Sequence, residues 1–180
     1  MRITKENTVG LIVDIQERLF PAMWEKETLL KNTLTLINGL KELKLPLQVT
    51  QQYSKGLGET LQEIKSVISD FSFIEKRDFS CCDETVFMEN LKKTEAKNII
   101  ICGIESHVCV LQTAVDLKEA GFNPIVVVDC ISSRSKESIE IAKERFRFEG
   151  ILMTSCESIL FELTRSSTAP EFKAISNLVK

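Results

Sequence analysis

Cys109 is the residue of this chain whose type and position best suit a nucleophile. It follows the apolar run Ile99–Cys102, which predicts a buried strand, and Gly103 ends that run before a helix expected to begin at Ser106. A thiol in the first turn of a helix lies close to free N–H groups and to the positive end of the helix dipole, which favour the thiolate. The sequence therefore predicts an activated nucleophile at the carboxyl end of a strand, where open α/β sheets bind their ligands.

A carboxylate and an ammonium group are predicted at the same edge of the sheet. Asp14 closes the first predicted strand and Lys76 closes the third, while Cys109 follows the fourth. In the strand order 3-2-1-4-5-6, the first and fourth strands are adjacent, so Asp14 and Cys109 can meet and Lys76 can reach them from the side. Taken singly, such residues are more often a turn residue, a solvated charge and a packed thiol. Their joint placement favours a shared function.

Apolar segments alternate with amphipathic helical patterns along the whole chain. This alternation predicts one α/β domain over residues 1–180, a three-layer α/β/α sandwich around a doubly wound, six-stranded parallel sheet ordered 3-2-1-4-5-6. The predicted strands are Val9–Ile15, Leu47–Gln51, Phe73–Lys76, Asn98–Ile104, Pro124–Asp129 and Ile151–Ser155. The predicted helices are Glu25–Leu43, Thr60–Ser69, Glu84–Lys93, Ser106–Ala120, Ser135–Phe148, Ser158–Leu163 and Glu171–Val179, and Ser54–Gly58 is expected to be a mobile loop.

The composition argues against several classes of partner. The formal net charge is −3 and the 23 Lys and Arg residues are scattered, which does not favour binding to nucleic acid or anionic lipid. No apolar run approaches the length of a membrane span, and the amino terminus lacks a signal-peptide core. We therefore expect a cytoplasmic protein with no membrane partner, whose six cysteines are mostly reduced.

The sequence also excludes several kinds of catalytic site. His107 is the single histidine, and it lies two residues from Cys109, a spacing at which helical side chains do not face each other. No histidine follows the segment G-I-E-S-H, so a Ser–His–Asp hydrolase is excluded. The first strand ends in V-D-I-Q without a glycine-rich turn, and the cysteines do not cluster as metal ligands. We expect no cofactor and no metal ion.

Three segments around the reactive residues resemble the isochorismatase-like cysteine hydrolases. They are V-D-I-Q with Asp14, F-I-E-K-R-D-F-S with Lys76, and C-G-I-E-S-H-V-C-V with Cys109. The segments Val49–Gly58 and Pro170–Ser176 are similar to the isochorismatase domain-containing subfamily, whose substrates are poorly defined.

This resemblance implies specific roles for the matching residues. Asp14, Lys76 and Cys109 would form a catalytic triad. A non-proline cis peptide would join Ile104 to Glu105, and the backbone N–H groups of Glu105 and Cys109 would form an oxyanion hole. The resemblance also implies a homo-oligomer, a dimer or higher, with active sites near its interfaces.

The chain departs from two branches of that family. Nicotinamidases carry a D-x-H metal motif after the second strand, where this chain has Thr50-Gln51-Gln52-Tyr53. True isochorismatases resemble the fold but lack the cysteine, so the presence of Cys109 favours the thiol-dependent branch.

These features predict a hydrolase with a cysteine nucleophile and a thioester intermediate. Its substrate would be a small molecule with an amide-like, imidate-like or related C–N or C–O bond. The expected pocket residues are Gln16, Phe20, Trp24, Gln52, Tyr53 and Phe79, with the two glutamines orienting a substrate amide. The aromatic residues could instead cover the ends of the core.

Two other functions remain open from the sequence. The chain could be a binding or scaffold module that interacts through its helix surfaces. It could also be a thiol redox sensor in which Cys109 is oxidised and Cys81 or Cys82 acts as the resolving thiol.

Overall fold

Six parallel strands form one sheet in the order β3-β2-β1-β4-β5-β6. The computed structural model describes residues 2–180. The strands are β1 (Thr8–Val13), β2 (Leu47–Gln52), β3 (Ile74–Lys76), β4 (Asn98–Ile104), β5 (Asn123–Ser132) and β6 (Leu152–Thr154). The predicted fold class and strand order are confirmed. The chain adds β2 and β3 on one side of β1 and then crosses back to place β4 on the other side. Strands β1 and β4 therefore flank the switch point, where the order of the strands reverses.

Helices cover both faces of this sheet. They are α1 (Lys26–Glu42), α2 (Ser54–Leu57), α3 (Gln62–Val67), α4 (Thr85–Lys93), α5 (Leu111–Glu119), α6 (Lys136–Phe148), α7 (Cys156–Thr164) and α8 (Phe172–Leu178). One apolar core lies between the sheet and α1, α3, α7 and α8, and the other lies between the sheet and α4, α5 and α6. Within residues 2–180, no helix has the length and apolar character that a membrane crossing requires.

Strand β4 shows why its sequence is apolar throughout. All seven of its residues are buried. Ile99 and Ile101 point into one core, while Ile100 and Cys102 point into the other. A central parallel strand is covered on both faces, so it reads as a continuous apolar run and lacks the alternating pattern of a half-exposed strand.

The structure differs from the predicted elements at two segments near the functional edge. The predicted loop Ser54–Gly58 contains the short helix α2, which ends at Gly58 with φ = +81°. Strand β5 continues to Ser132, three residues past the predicted end, because its last residues pair with the end of β4 after a register shift. This extension brings the segment after β5 against the residues that precede Cys109.

Candidate active site

Asp14 and Lys76 form a fully buried ion pair at the carboxyl edge of the sheet. Lys76 Nζ lies 2.7 Å from Asp14 Oδ2, and the exposed fraction of both side chains is 0%. Asp14 directly follows β1, and Lys76 is the last residue of β3. Strand β2 lies between β1 and β3, so the lysine side chain reaches past the end of β2 to the carboxylate. Lys76 is therefore not the solvated surface charge that a lysine in E-K-R-D more often is.

The backbone around Asp14 requires a glycine in the neighbouring strand. Asp14 has φ = +50°, a left-handed conformation that aspartate tolerates better than most residues. Gly103 pairs with Val13, and a Cβ atom at Gly103 would lie 2.2 Å from the Val13 carbonyl oxygen. The missing side chain therefore lets β1 and β4 approach closely just where Asp14 leaves the sheet.

The two carboxylate oxygens of Asp14 have different surroundings. Oδ1 accepts a 2.8 Å hydrogen bond from Thr50 Oγ1. Oδ2 faces Lys76 but receives no hydrogen bond of normal geometry. Burial raises the pKa of Asp14, while the Lys76 charge and the close polar contacts with Lys76, Thr50 and Cys109 oppose this shift. Oδ2 is thus the oxygen with a lone pair available for a proton.

The Lys76 ammonium group is surrounded by oxygen atoms. Besides Asp14, Nζ contacts Gln52 Oε1 at 2.6 Å, the Asp78 carbonyl at 3.1 Å and the Phe79 carbonyl at 3.0 Å. Burial alone would lower the pKa of Lys76, but the charge of Asp14 and interactions with Cys109 raise it above its ordinary value. The lysine is therefore a permanent positive charge at neutral pH.

Cys109 lies beside this ion pair, on a helical turn that differs from the predicted one. Residues Ser106–Val110 form a π-helical turn that continues into α5. Cys109 is 8% exposed, and burial followed by the charge of Asp14 raises the pKa of its thiol to about 12, while Lys76 lowers it. The helix position and Lys76 are expected to favour the thiolate, whereas burial and the charge of Asp14 hold the pKa of this thiol above its ordinary value, so the thiol form predominates at neutral pH.

The backbone before Cys109 has two unusual features. The peptide bond between Ile104 and Glu105 is cis. The Glu105 carbonyl accepts hydrogen bonds from the N–H groups of Val108 at 3.1 Å and Val110 at 3.2 Å, the two residues that flank Cys109. Within residues 2–180, no acceptor is paired with the Glu105 N–H. An unpaired donor directly before the turn that carries Cys109 is chemically suited to a developing negative charge.

Gln16 does not take the predicted role. Its side chain is completely buried, Nε2 donates to the carbonyls of Gln52 and Gly58 at 3.0 and 2.7 Å, and Oε1 accepts from the Gln52 N–H at 2.7 Å. Both N–H groups of the Gln16 amide therefore donate to backbone carbonyls, and none is left to donate to a substrate. The Gln52 side chain likewise contacts Lys76 and the Arg77 carbonyl.

The four predicted aromatic residues occupy different environments. Tyr53 is 38% exposed and its ring is stacked under the Arg77 guanidinium at 4.1 Å, while Phe79 is 54% exposed and its carbonyl holds Lys76. Phe20 is partly buried and packs against the core, which agrees with the alternative that it covers the end of the core.

Trp24 is 46% exposed and lines a separate cavity of about 380 Å³ between α1, the end of β5 and α6. None of Asp14, Lys76 and Cys109 lines this cavity. The backbone N–H of Trp24 donates a 2.9 Å hydrogen bond to the Ser133 carbonyl. Trp24 therefore lines a cavity beside the reactive residues, and its place in the substrate pocket stays a prediction.

Two further residues, Thr50 and Cys81, lie near the ion pair. Thr50 donates to Asp14 and lies close to Cys81 Sγ, at 3.8 Å from Oγ1. Cys81 is fully buried, and burial raises the pKa of its thiol to about 12. Thr50 pairs with Val13 in the sheet, so only the register of β1 against β2 could have indicated its contact with Asp14.

Comparison with known proteins gives this arrangement a family. The isochorismatase domain model matches residues 8–157. The secreted isochorismatase effector Isc1 of Phytophthora sojae is 35% identical over 183 residues, which cover 99% of this chain and 87% of the relative. The chain therefore belongs to the isochorismatase family, and the resemblance seen in the sequence is confirmed.

Solved structures agree with this assignment. MAR1 ribonuclease from Caenorhabditis elegans superposes with a TM-score of 0.94 at 34% identity, covering 99% of this chain and 92% of that one. The YcaC gene product of Escherichia coli, described as an octameric hydrolase of unknown specificity, has a TM-score of 0.90 at 24% identity and covers 99% and 94%. The second likeness concerns the fold alone. The chain has the fold of an isochorismatase-family hydrolase.

Proposed function

We propose that this protein is a cysteine hydrolase that cleaves a C–N or related C–O bond in a small amide-like or imidate-like substrate. The observation that carries the proposal is the buried Asp14–Lys76 ion pair with the Cys109 thiol beside it. A buried ion pair is a poor way to stabilise a fold, because the loss of hydration offsets most of the attraction. A role in catalysis explains why a buried ion pair is present, whereas a contribution to the stability of the fold does not.

The proposed reaction begins with proton transfer from Cys109 to Asp14. The sulfur attacks the substrate carbon as Oδ2 of Asp14 takes the thiol proton, and Lys76 stabilises the negative charge that develops near it. The N–H groups of Glu105 and Cys109 would hold the substrate oxygen; in other enzymes, deleting one such donor costs about 2.7–4 kcal/mol.

Collapse of this adduct breaks the bond to the leaving group. The leaving nitrogen or oxygen takes the proton from Asp14, and a thioester to Cys109 remains. Asp14 then removes a proton from water, the resulting hydroxide attacks the thioester carbon, and the sulfur leaves and is reprotonated. Each step balances without a metal ion or a cofactor.

A substrate panel with covalent trapping tests this function. Wild-type protein is incubated with small amides, imidates and esters, and intact-mass spectrometry after acid quenching detects an acyl group on the protein. We expect turnover and an adduct that maps to Cys109, both absent from Cys109→Ala. Turnover that survives in this variant would contradict the nucleophile, and the absence of any turnover across the panel would favour a binding or scaffold module.

The redox-sensor alternative is less well supported by the surroundings of the cysteines. Burial raises the pKa values of Cys81 and Cys82 to about 12, as it does for Cys109, but neither of these two thiols has the side-chain contact with Asp14 through which Cys109 can give up its proton. Mass spectrometry under non-reducing conditions after mild peroxide treatment tests this point, since a sensor would form a disulfide that includes Cys109.

The name of the Caenorhabditis elegans structure raises nuclease activity as a second candidate. The net charge of −3 and the scattered basic residues of this chain do not favour an RNA partner. Labelled RNA offered to wild-type protein, Cys109→Ala and Lys76→Met separates the two functions. Cleavage that depends on Cys109 would replace a small molecule with RNA as the substrate.

Three further expectations are part of the proposal. We expect residues 1–180 to act as one domain and the protein to form a homo-oligomer, for which the octamer described for the Escherichia coli protein is a precedent in the same fold. We expect a cytoplasmic location, although the Phytophthora sojae relative is described as secreted. Sedimentation analysis and cell fractionation measure these properties directly.

A further inference from the structure

The side chain of Gln52 connects Lys76 to the backbone that follows β3. Oε1 lies 2.6 Å from Lys76 Nζ, and Nε2 donates to the Arg77 carbonyl at 2.6 Å. An ammonium group has only donors and a carbonyl oxygen is only an acceptor, so the amide can satisfy both partners in just one orientation. The amide is therefore held at both ends with its oxygen toward Lys76.

Gln16 fixes the backbone of Gln52 in turn. Its Oε1 accepts from the Gln52 N–H at 2.7 Å, and its Nε2 donates to the Gln52 carbonyl at 3.0 Å. The backbone pairing of β1 with β2 ends at Val13 and Thr50. Two hydrogen bonds from one side chain thus continue the pairing after the main chain of β1 has turned away at Asp14.

Lys76 needs such support because of its place in the fold. It ends β3, a strand of three residues at the edge of the sheet. A lysine carries a compact charge on a flexible four-carbon chain, so the side chain alone does not fix where its ammonium group lies. Its oxygen partners are two backbone carbonyls, the Asp14 carboxylate and the Gln52 amide. Gln52 is the uncharged side chain among these four groups.

We propose that Gln52 is a positioning residue that holds the Lys76 ammonium group between Asp14 and Cys109, and that Gln16 holds Gln52 in place. The inference rests on the proposed function, in that Lys76 is assigned to act on Cys109. Gln52 acts through the lysine and does not touch the substrate in this role.

Gln52→Leu is the direct test, with Gln52→Glu as the conservative variant. Leucine keeps the bulk and removes the oxygen, which destabilises the charged lysine, so the pKa of Lys76 falls. Glutamate restores an acceptor and raises it. The readout is the titration of the Lys76 Cε signals by heteronuclear NMR, which requires no substrate.

A second readout follows the thiol. Iodoacetamide alkylation of Cys109 at pH 9 is expected to slow by roughly tenfold in Gln52→Leu, because a displaced lysine lowers the thiol pKa less. If the protein has turnover, kcat falls in Gln52→Leu while KM stays within about twofold, and Gln52→Glu recovers part of kcat.

Gln48→Leu is the matched control. Gln48 points to the same side of β2 four residues earlier, and its buried Oε1 has no hydrogen-bond partner, so the substitution removes no such contact. It is expected to leave the Lys76 titration and the alkylation rate unchanged. Gln16→Leu is expected to change both in the same direction as Gln52→Leu, and the Gln52 variants test the proposal on their own if it does not fold.

The proposal is overturned if Gln52→Leu changes the melting temperature alone, or if Gln48→Leu has an equal effect on Lys76. Failure of the proposed function is a separate result, because it appears as an absence of turnover in wild-type protein. The lysine titration and the alkylation rates are measured in either case.

Discussion

Oδ2 of Asp14 lies 2.7 Å from Nζ of Lys76, and water reaches neither side chain. The pair is neutral overall, yet Cys109 experiences its two charges with opposite effect. The carboxylate raises the pKa of the thiol and the ammonium group lowers it. This opposition makes the role of each residue separable by experiment.

Removing the carboxylate is expected to make Cys109 more reactive toward a small electrophile. In Asp14→Asn the negative charge that raises the thiol pKa is gone while Lys76 keeps its other oxygen partners. Alkylation by iodoacetamide at pH 9 should therefore accelerate by roughly tenfold. Turnover should nevertheless be lost, because no base remains to move the proton. Slower alkylation in this variant would argue against the electrostatic assignment.

Removing the ammonium group is expected to have the reverse effect. Lys76→Met should raise the thiol pKa further and slow alkylation of Cys109 at pH 9, because the positive charge that lowers this pKa is gone. The two variants form a pair with opposite signs under one assay. A common change in both would point to disturbed packing at the site.

The alkylation rate should also depend steeply on pH. Burial and Asp14 place the thiol pKa at about 12, above its ordinary value of 9.0, so the thiolate fraction keeps rising through the accessible alkaline range. We expect the rate at Cys109 to increase about tenfold per pH unit between roughly pH 7.5 and 10. Circular dichroism checks that the fold persists, and a plateau near neutral pH would reveal an already ionised thiol.

Cys109→Ala should abolish hydrolysis while preserving the fold, since the substitution removes one sulfur atom at an 8% exposed position. Cys82→Ala is the comparison, because Cys82 is half-buried and its thiol approaches the Thr113 carbonyl only at 3.9 Å. Activity assays and thermal unfolding of both variants separate lost chemistry from lost stability. Equal activity in the two variants would remove Cys109 from the mechanism.

Gly103→Ala tests the close approach of β1 and β4. The new methyl group would lie 2.2 Å from the Val13 carbonyl oxygen, at φ = +136°, so a strand must move. We expect a loss of about 3 kcal/mol or more in the free energy of unfolding, measured with urea. Gly121→Ala is the control, since φ is +86° there but nothing lies within 4 Å, and its cost should be about 1–2 kcal/mol.

The sequence could predict the sheet because its signals are local and repeated. The run ending at Cys102 is apolar on both faces, which is typical of a central parallel strand, and Asp14 and Lys76 stand at strand ends. Parallel strands bring such ends to one edge whatever the side-chain rotamers are. The strand order and the contact between Asp14 and Lys76 could therefore be predicted from the sequence.

The contacts of Gln16 and Gln52 could not be predicted from the sequence. Gln16 contacts Gln52 36 residues away, and which group its amide binds depends on strand register and on where β1 turns. The raised pKa of Cys109 likewise depends on burial by residues distant in the chain. For Phe20 the sequence left two placements open, a pocket wall or the end of the core, because an aromatic residue beyond a strand end suits both, and its packing against the core depends on distant residues.

The depth of the Asp14–Lys76 pair has a consequence for working conditions. Mobile ions weaken attraction between charges that face the solvent, over a screening distance of about 8 Å at physiological ionic strength, but they cannot enter a packed interior. Surface pairs such as Glu140–Lys143 will fade in concentrated salt, whereas the paired charges beside the sulfur will not. The reactive centre is in this way isolated from the electrolyte around it.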